Sequence, residues 1–206
     1  TLRAPVRLQI QPWNEYLQQD ASWLVFASAC FAVMLAMVLM ALCFALMLRD
    51  VAYAWYAGYI LCYTLIQGIQ TGFMFHPLEW TWLSGVALMA GPAAVALSVA
   101  FASLFMMRFC ELQRHAPLLR VPIMALAVGM IQLVLMRCSH IALLVEVAQI
   151  LLNPLLMIGA VLLLVAAIVA VARGSRQAWF FLIGWTPLLL LTASTSAQVS
   201  GALPQL

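Results

Sequence analysis

Ionisable side chains are so scarce in this chain that each one is a candidate for chemistry. Glu146 stands alone in an otherwise uncharged run from Ile141 to Ala172, with Arg137 and His140 nine and six residues upstream. An ionisable group inside an apolar run is a functional candidate by default. Glu146 with Arg137 or His140 forms a candidate outer charge cluster, one that changes when a ligand or an outer domain docks. The plainer alternative is an ion pair that anchors a helical hairpin. A single carboxylate near the end of such a run is not a proton relay. Asn153-Pro154 interrupts the same run. Proline there frees a carbonyl one turn earlier and permits a kink, which makes this pair a candidate hinge. Gly91-Pro92 and Thr186-Pro187 read the same way. Gln67, Gln70 and Gln132 are the strongest polar groups deep in apolar runs. Interhelical hydrogen bonding is their ordinary use, and lining a small-ligand cavity is the alternative. Gly68 and Gly72 add a GxxxG spacing that permits close helix contact.

The chemistry left out is as informative. His76, His115 and His140 fall at the ends of apolar runs, so no two face each other to hold a haem, and no third ligand joins His76 and His140 in a metal site. The five cysteines show no CxxC spacing, and all nine basic residues are arginine, which removes Schiff-base chemistry and with it a retinal pigment. No HExxH, paired intramembrane aspartates or GxSxG occurs; Leu83-Ser84-Gly85 carries Trp82 where a glycine belongs. The expectation is a chain with no catalytic residue, no metal and no cofactor.

The elements that position these residues follow from composition. Of 206 residues, 67% are hydrophobic and 7% charged, against about 45–50% and about 25% in soluble domains. So little polar surface cannot cover a water-soluble globule, and the partner is a lipid bilayer. A net charge of +3 is too small for nucleic acid. A membrane-crossing helix needs about 20 apolar residues, and the charges divide the chain into six such runs, about 23–48, 51–75, 80–107, 118–136, 141–172 and 178–198. The predicted fold is an all-α, polytopic transmembrane helical bundle over residues 22–200. Residues 1–21 differ, with two prolines and the alternating stretch Val6-Arg7-Leu8-Gln9-Ile10, and read as the end of an extracytoplasmic domain or its linker. Both ends read as cuts through a longer protein.

Arginine counts set the orientation. Arg49, Arg108, Arg114, Arg120, Arg173 and Arg176 fall on one side, against Arg3, Arg7 and Arg137 on the other. The loops at 49–50, 108–120 and 173–177 are therefore expected in the cytoplasm and the N-terminus outside. Six crossings return the chain to the outside, so 201–206 reads as an outer loop before a seventh helix.

Three pieces of the sequence resemble one family. The first is Leu48-Arg49-Asp50 followed by Tyr53, Tyr56, Ala57, Gly58 and Tyr59, closing at Gly72. The second is Arg108-Phe109 with Glu111-Leu112, then Pro117-Leu118-Leu119-Arg120. The third is Arg173-Gly174, Arg176, Ala178-Trp179-Phe180-Phe181 and Trp185. Together they resemble the membrane module of the bacterial seven-transmembrane receptors with diverse intracellular signalling modules. The resemblance implies signal transduction in the bacterial inner membrane. It further implies an extracytoplasmic sensing domain before the helices, a cytoplasmic diguanylate cyclase or histidine kinase after a seventh helix, and a homodimer. From the residues alone, Arg-Asp and Arg-Gly satisfy helix ends at tight turns, and Pro117 and Pro122 lie where a loop becomes a helix. The loop 108–120 is a candidate contact for the effector. The competing class is a small-solute transporter or channel, for which the sequence shows no internal repeat.

Overall fold

A computed structural model describes residues 13–75, 78–79, 87–139 and 141–184. The expected strand at Val6–Ile10, His76 and His140 lie outside the described residues. Uncharged apolar runs leave the backbone no partners but its own, and the chain answers with helices. These are α1 (Trp13–Leu48), α2 (Val51–Gln70), α3 (Ala87–Phe109), the single turn α4 (Leu112–His115), α5 (Pro117–Cys138) and α6 (Ala142–Ala172). A further helix, α7, starts at 176 and is described to 184. Among the described residues there is no strand.

Among the described residues, four stretches are long and apolar enough to cross a membrane: Leu17–Leu48, Met89–Phe109, Pro117–Cys138 and Ala142–Ala172. Two of the six expected spans are not among these four, for different reasons. The second, α2, has the 20 residues needed, about 30 Å of helix, but Tyr53, Tyr56, Tyr59, Tyr63, Gln67 and Gln70 dilute its hydropathy. The sixth lies mostly beyond residue 184, outside the described residues. The first helix also begins ten residues ahead of the expected start of its span, at Trp13. With 36 residues it runs about 54 Å, well beyond a hydrocarbon core of about 30 Å.

Neighbours in sequence are neighbours in space. The helix α1 packs on α2, α2 on α3, α3 on α5 and α5 on α6, with α3 central because it touches α6 as well. Small residues let α3 take that place: Ala94, Ala96, Ala100, Ala102, Ser98 and Ser103 are buried along it. The two hydroxyls are satisfied on their own helix, Ser98 Oγ donating to the Val95 carbonyl at 2.8 Å and Ser103 Oγ to the Val99 carbonyl at 2.7 Å. Two glycines mark the closest approaches between helices. A Cβ at Gly58 on α2 would sit 3.1 Å from the Phe101 ring on α3, and one at Gly159 on α6 would sit 3.1 Å from Leu126 on α5. The Gly68/Gly72 pair does not act this way. Gly72 lies beyond the helix with φ of +75°, and the atoms against Gly68 belong to Met74 in the following turn, 2.6 Å from a Cβ placed there. Gly72 instead closes α2, because its left-handed backbone lets its N–H donate to the Ile69 carbonyl at 3.3 Å. The second span accordingly ends at Gln70, short of residue 75.

The tight turns are built by the residues that the charge pattern singled out. Arg49 takes a left-handed φ of 52° directly after α1. Asp50 then N-caps α2: its Oδ1 accepts the Ala52 N–H at 2.9 Å, and its carbonyl accepts the Tyr53 N–H at 3.3 Å. Replacing this cap removes the acceptor and leaves a backbone donor unmet, so Asp50→Ala is expected to cost about 1 kcal/mol, read by thermal unfolding in detergent, and Asp50→Asn to cost much less. Pro117 is at the first position of α5, as expected, but Pro122 lies inside that helix rather than at its start.

Candidate functional site

The turns after α1, α3 and α6 come together at one end of the bundle. One buried cluster holds Ala52 from the start of α2, Met106 and Cys110 from the end of α3, Leu112 of α4, Ile123 of α5, Ala170 of α6 and Ala178 of α7. These residues are far apart in the chain, and the six arginines beside them are thereby drawn to a common end. Arg49, Arg108, Arg114, Arg120, Arg173 and Arg176 are all exposed there, with Asp50 and Glu111 as the carboxylates among them.

The turn from α6 to α7 is closed by backbone hydrogen bonds. Gly174, at φ of +89°, donates its N–H to the Val171 carbonyl at 2.9 Å, and the Ser175 N–H reaches the Ala170 carbonyl at 3.0 Å. This nested pair, with the Arg173 N–H on the Val169 carbonyl, satisfies three of the last four carbonyls of α6. Ser175, buried, then caps the next helix, its Oγ accepting the Ala178 N–H at 3.3 Å. Arg173-Gly174 thus acts as the sequence suggested, and Ser175 is the part it missed. A serine three residues ahead of the first buried helical position was the available signal.

The connection 110–116 is tucked beneath the bundle rather than looping outward. Glu111 bends the chain with φ of 46°, and Cys110, Leu112 and Ala116 are 0%, 0% and 2% exposed. Glu111, Gln113 and Arg114 remain on the outside. Burial among apolar side chains pushes the Cys110 thiol up to about 12.

Aromatic rings tie this end together. Phe105 on α3 meets Tyr56 of α2 at 5.2 Å, Phe109 of its own helix at 4.9 Å and Phe181 of α7 at 6.3 Å between ring centres. Trp55 stacks on Phe101 at 5.9 Å, and Tyr53 tilts against Phe44 of α1 at 5.9 Å. Two of the tyrosines in the first family-like piece are therefore contacts between helices. Between α1, α2, α3 and α7, Phe44, Tyr53, Tyr56, Phe105, Phe109 and Phe181 border a cavity of about 410 Å³ that opens to the outside.

The other candidates lie away from this end. Arg137, in the last turn of α5, is 8% exposed, where its charge complements the carbonyl end of the helix. Glu146 faces outward from the first turns of α6, and His140 of the same cluster is outside the described residues. Asn153 and Pro154 are exposed on the outer side of α6, whose helical assignment continues through the proline. Gln67 is half-buried, and its carbonyl accepts both the N–H and the hydroxyl of Thr71, at 2.9 and 2.7 Å; Gln70 and Gln132 are exposed. Among the described residues, no group of three or more histidines, cysteines or carboxylates is arranged to hold a metal ion.

Long apolar helices, outward-facing leucines, valines and phenylalanines such as Val25, Phe26, Leu46 and Val121, and arginines gathered at one end define a multi-pass membrane protein. The profile of the 7TM diverse intracellular signalling family matches residues 23–205. The chain belongs to that family. Neither a curated protein nor a solved structure matches it.

Proposed function

We propose that the bundle is the membrane module of a receptor, passing an extracytoplasmic ligand signal to a cytoplasmic effector of the same parent chain. Family membership over residues 23–205 carries this reading. The arginine-bearing end faces the cytoplasm of a bacterial inner membrane, with the N-terminus outside, in keeping with the excess of arginine in cytoplasmic loops. The effector is a diguanylate cyclase or else a histidine kinase, acting as a homodimer, and the bundle itself performs no catalysis. Ligand occupancy of an outer sensing domain changes its docking near Arg137 and Glu146. The helices then shift about the Asn153-Pro154 region, and the bonded turns at the arginine end move as a unit against the effector. Such a mechanism requires contacts that differ between two states.

The test uses the full-length parent in cells, with cyclic di-GMP or phosphotransfer as the output. Arg137→Gln and Glu146→Gln are expected to shift the output without changing the amount of protein in the membrane. An unchanged output in both variants, together with solute flux through vesicles holding the purified protein, would overturn the receptor in favour of a transporter.

A further inference from the structure

The aromatic cavity and the arginine end are parts of one feature. The cavity, about 410 Å³, is walled by Met40 and Phe44 of α1, Tyr56 of α2, Phe109 of α3, and Phe180 and Gly184 of α7. Its size falls in the range of small-ligand sites, roughly 300–1,000 Å³, and its lining is apolar apart from the tyrosine hydroxyls. Three of the four walls carry an exposed arginine toward the same end of the bundle. Arg49 follows Phe44 by five residues, Arg108 precedes Phe109, and Arg176 precedes Phe180 by four. From Phe44 to the end of α1 at Leu48 and from Arg176 to Phe180 are four helical steps each, about 6 Å, of the same order as the separation between a lipid phosphate and the first methylenes of its acyl chain. The six arginines at this end outnumber its carboxylates, Asp50 and Glu111. Asp50 is already engaged by the α2 backbone. Guanidinium forks match phosphate oxygens two at a time.

We propose that this groove is a binding site for an anionic phospholipid, with one acyl chain among the aromatic side chains and the phosphate held by Arg49, Arg108 and Arg176. A neutral lipid satisfies only the groove and a free anion only the arginines; the amphiphile satisfies both. The site does not depend on the signalling reading. On the proposed orientation it samples the cytoplasmic leaflet, where basic pockets between helices meet anionic headgroups.

Purified full chain is exchanged into mixed vesicles of phosphatidylcholine and phosphatidylglycerol, extracted, and the retained lipids weighed by native mass spectrometry. Phosphatidylglycerol is expected to be retained well above its share of the vesicle. Arg49→Gln with Arg176→Gln is expected to lower that preference about thirtyfold, at the usual strength of an arginine near an anionic surface. Arg114→Gln with Arg120→Gln removes equal charge from α4 and α5, away from the groove, and is expected to change it little. Gly184→Trp tests the acyl half: a Cβ there meets nothing within 4 Å, so the indole fills the groove and expels the lipid with the arginines intact. Retention in Gly184→Trp, or equal losses in the two arginine pairs, would overturn the site in favour of diffuse surface attraction. Competition by excess inorganic phosphate would overturn it in favour of a free-anion site. These lipid readouts stand apart from effector output, so either proposal can fail alone.

Discussion

Phe105→Ala is expected to lower the unfolding free energy of the detergent-solubilised chain by about 3 kcal/mol, the low end for a buried phenylalanine. The low end applies because lipid or detergent is as apolar as the core, so the transfer contribution shrinks while the cavity and the lost contacts remain. Phe105 is 8% exposed and lies against Tyr56, Phe109 and Phe181. Ring pairs of this kind contribute about 0.5–1.5 kcal/mol each beyond area. The loss is therefore spread over three helices, α2, α3 and α7. Phe26→Ala is the control, since that ring is 71% exposed toward the membrane. Thermal unfolding followed by circular dichroism is expected to show a clear drop for Phe105→Ala and little for Phe26→Ala. Equal shifts would mean that the ring cluster does not hold the end of the bundle.

What the sequence disclosed and what it hid follow a physical divide. Turns are local, and their chemistry is written in adjacent residues: Arg49-Asp50 and Arg173-Gly174 mark helix ends because a cap or a left-handed residue must stand next to the end it serves. Helix lengths were nearly as legible, since charge is excluded from apolar runs, although the polar side of α2 and the ten extra residues of α1 escaped a simple count. Packing between helices is different. Gly68 and Gly72 have the spacing of a contact motif, yet they serve their own turn, while Gly58 and Gly159 make the close approaches without such spacing. A glycine's sequence neighbours do not say which helix it faces. Pro122 fell on the wrong side of a helix start because α5 begins at Pro117, and two prolines five apart satisfy the same rule equally well. The groove was beyond reach altogether. Its walls come from residues as distant as Met37 and Gly184, and only the folded order of α1, α2, α3 and α7 places them together.

The buried connection beneath the arginine end gives the second large effect. Cys110 is 0% exposed and burial pushes its thiol up to about 12, so at pH 8 the closed connection holds far less of the reactive thiolate than an ordinary exposed cysteine does. In a chain whose other cysteines are replaced by alanine, Cys110 is expected to react with a maleimide only as fast as the connection opens. A matched chain keeping only Cys138, which is exposed at the far end of α5, reports the unprotected rate. Leu112 is the fully buried side chain that pins α4 against α5 and α6, and Leu112→Ala is expected to weaken it by about 2 kcal/mol. If opening is local, the Cys110 rate rises about thirtyfold while Cys138 is unaffected. The sign with pH is also fixed. A raised thiol value means that the closed state holds its proton, so protection is complete below about 9 and is withdrawn as the pH climbs toward about 12. Rapid labelling of Cys110 at pH 8 in the unaltered connection would mean that 110–116 hangs free. In that case the arginine end could not move as one body against an effector. Slow labelling that Leu112→Ala releases would make this connection a rigid part of the bundle, held by apolar contacts beneath a charged surface.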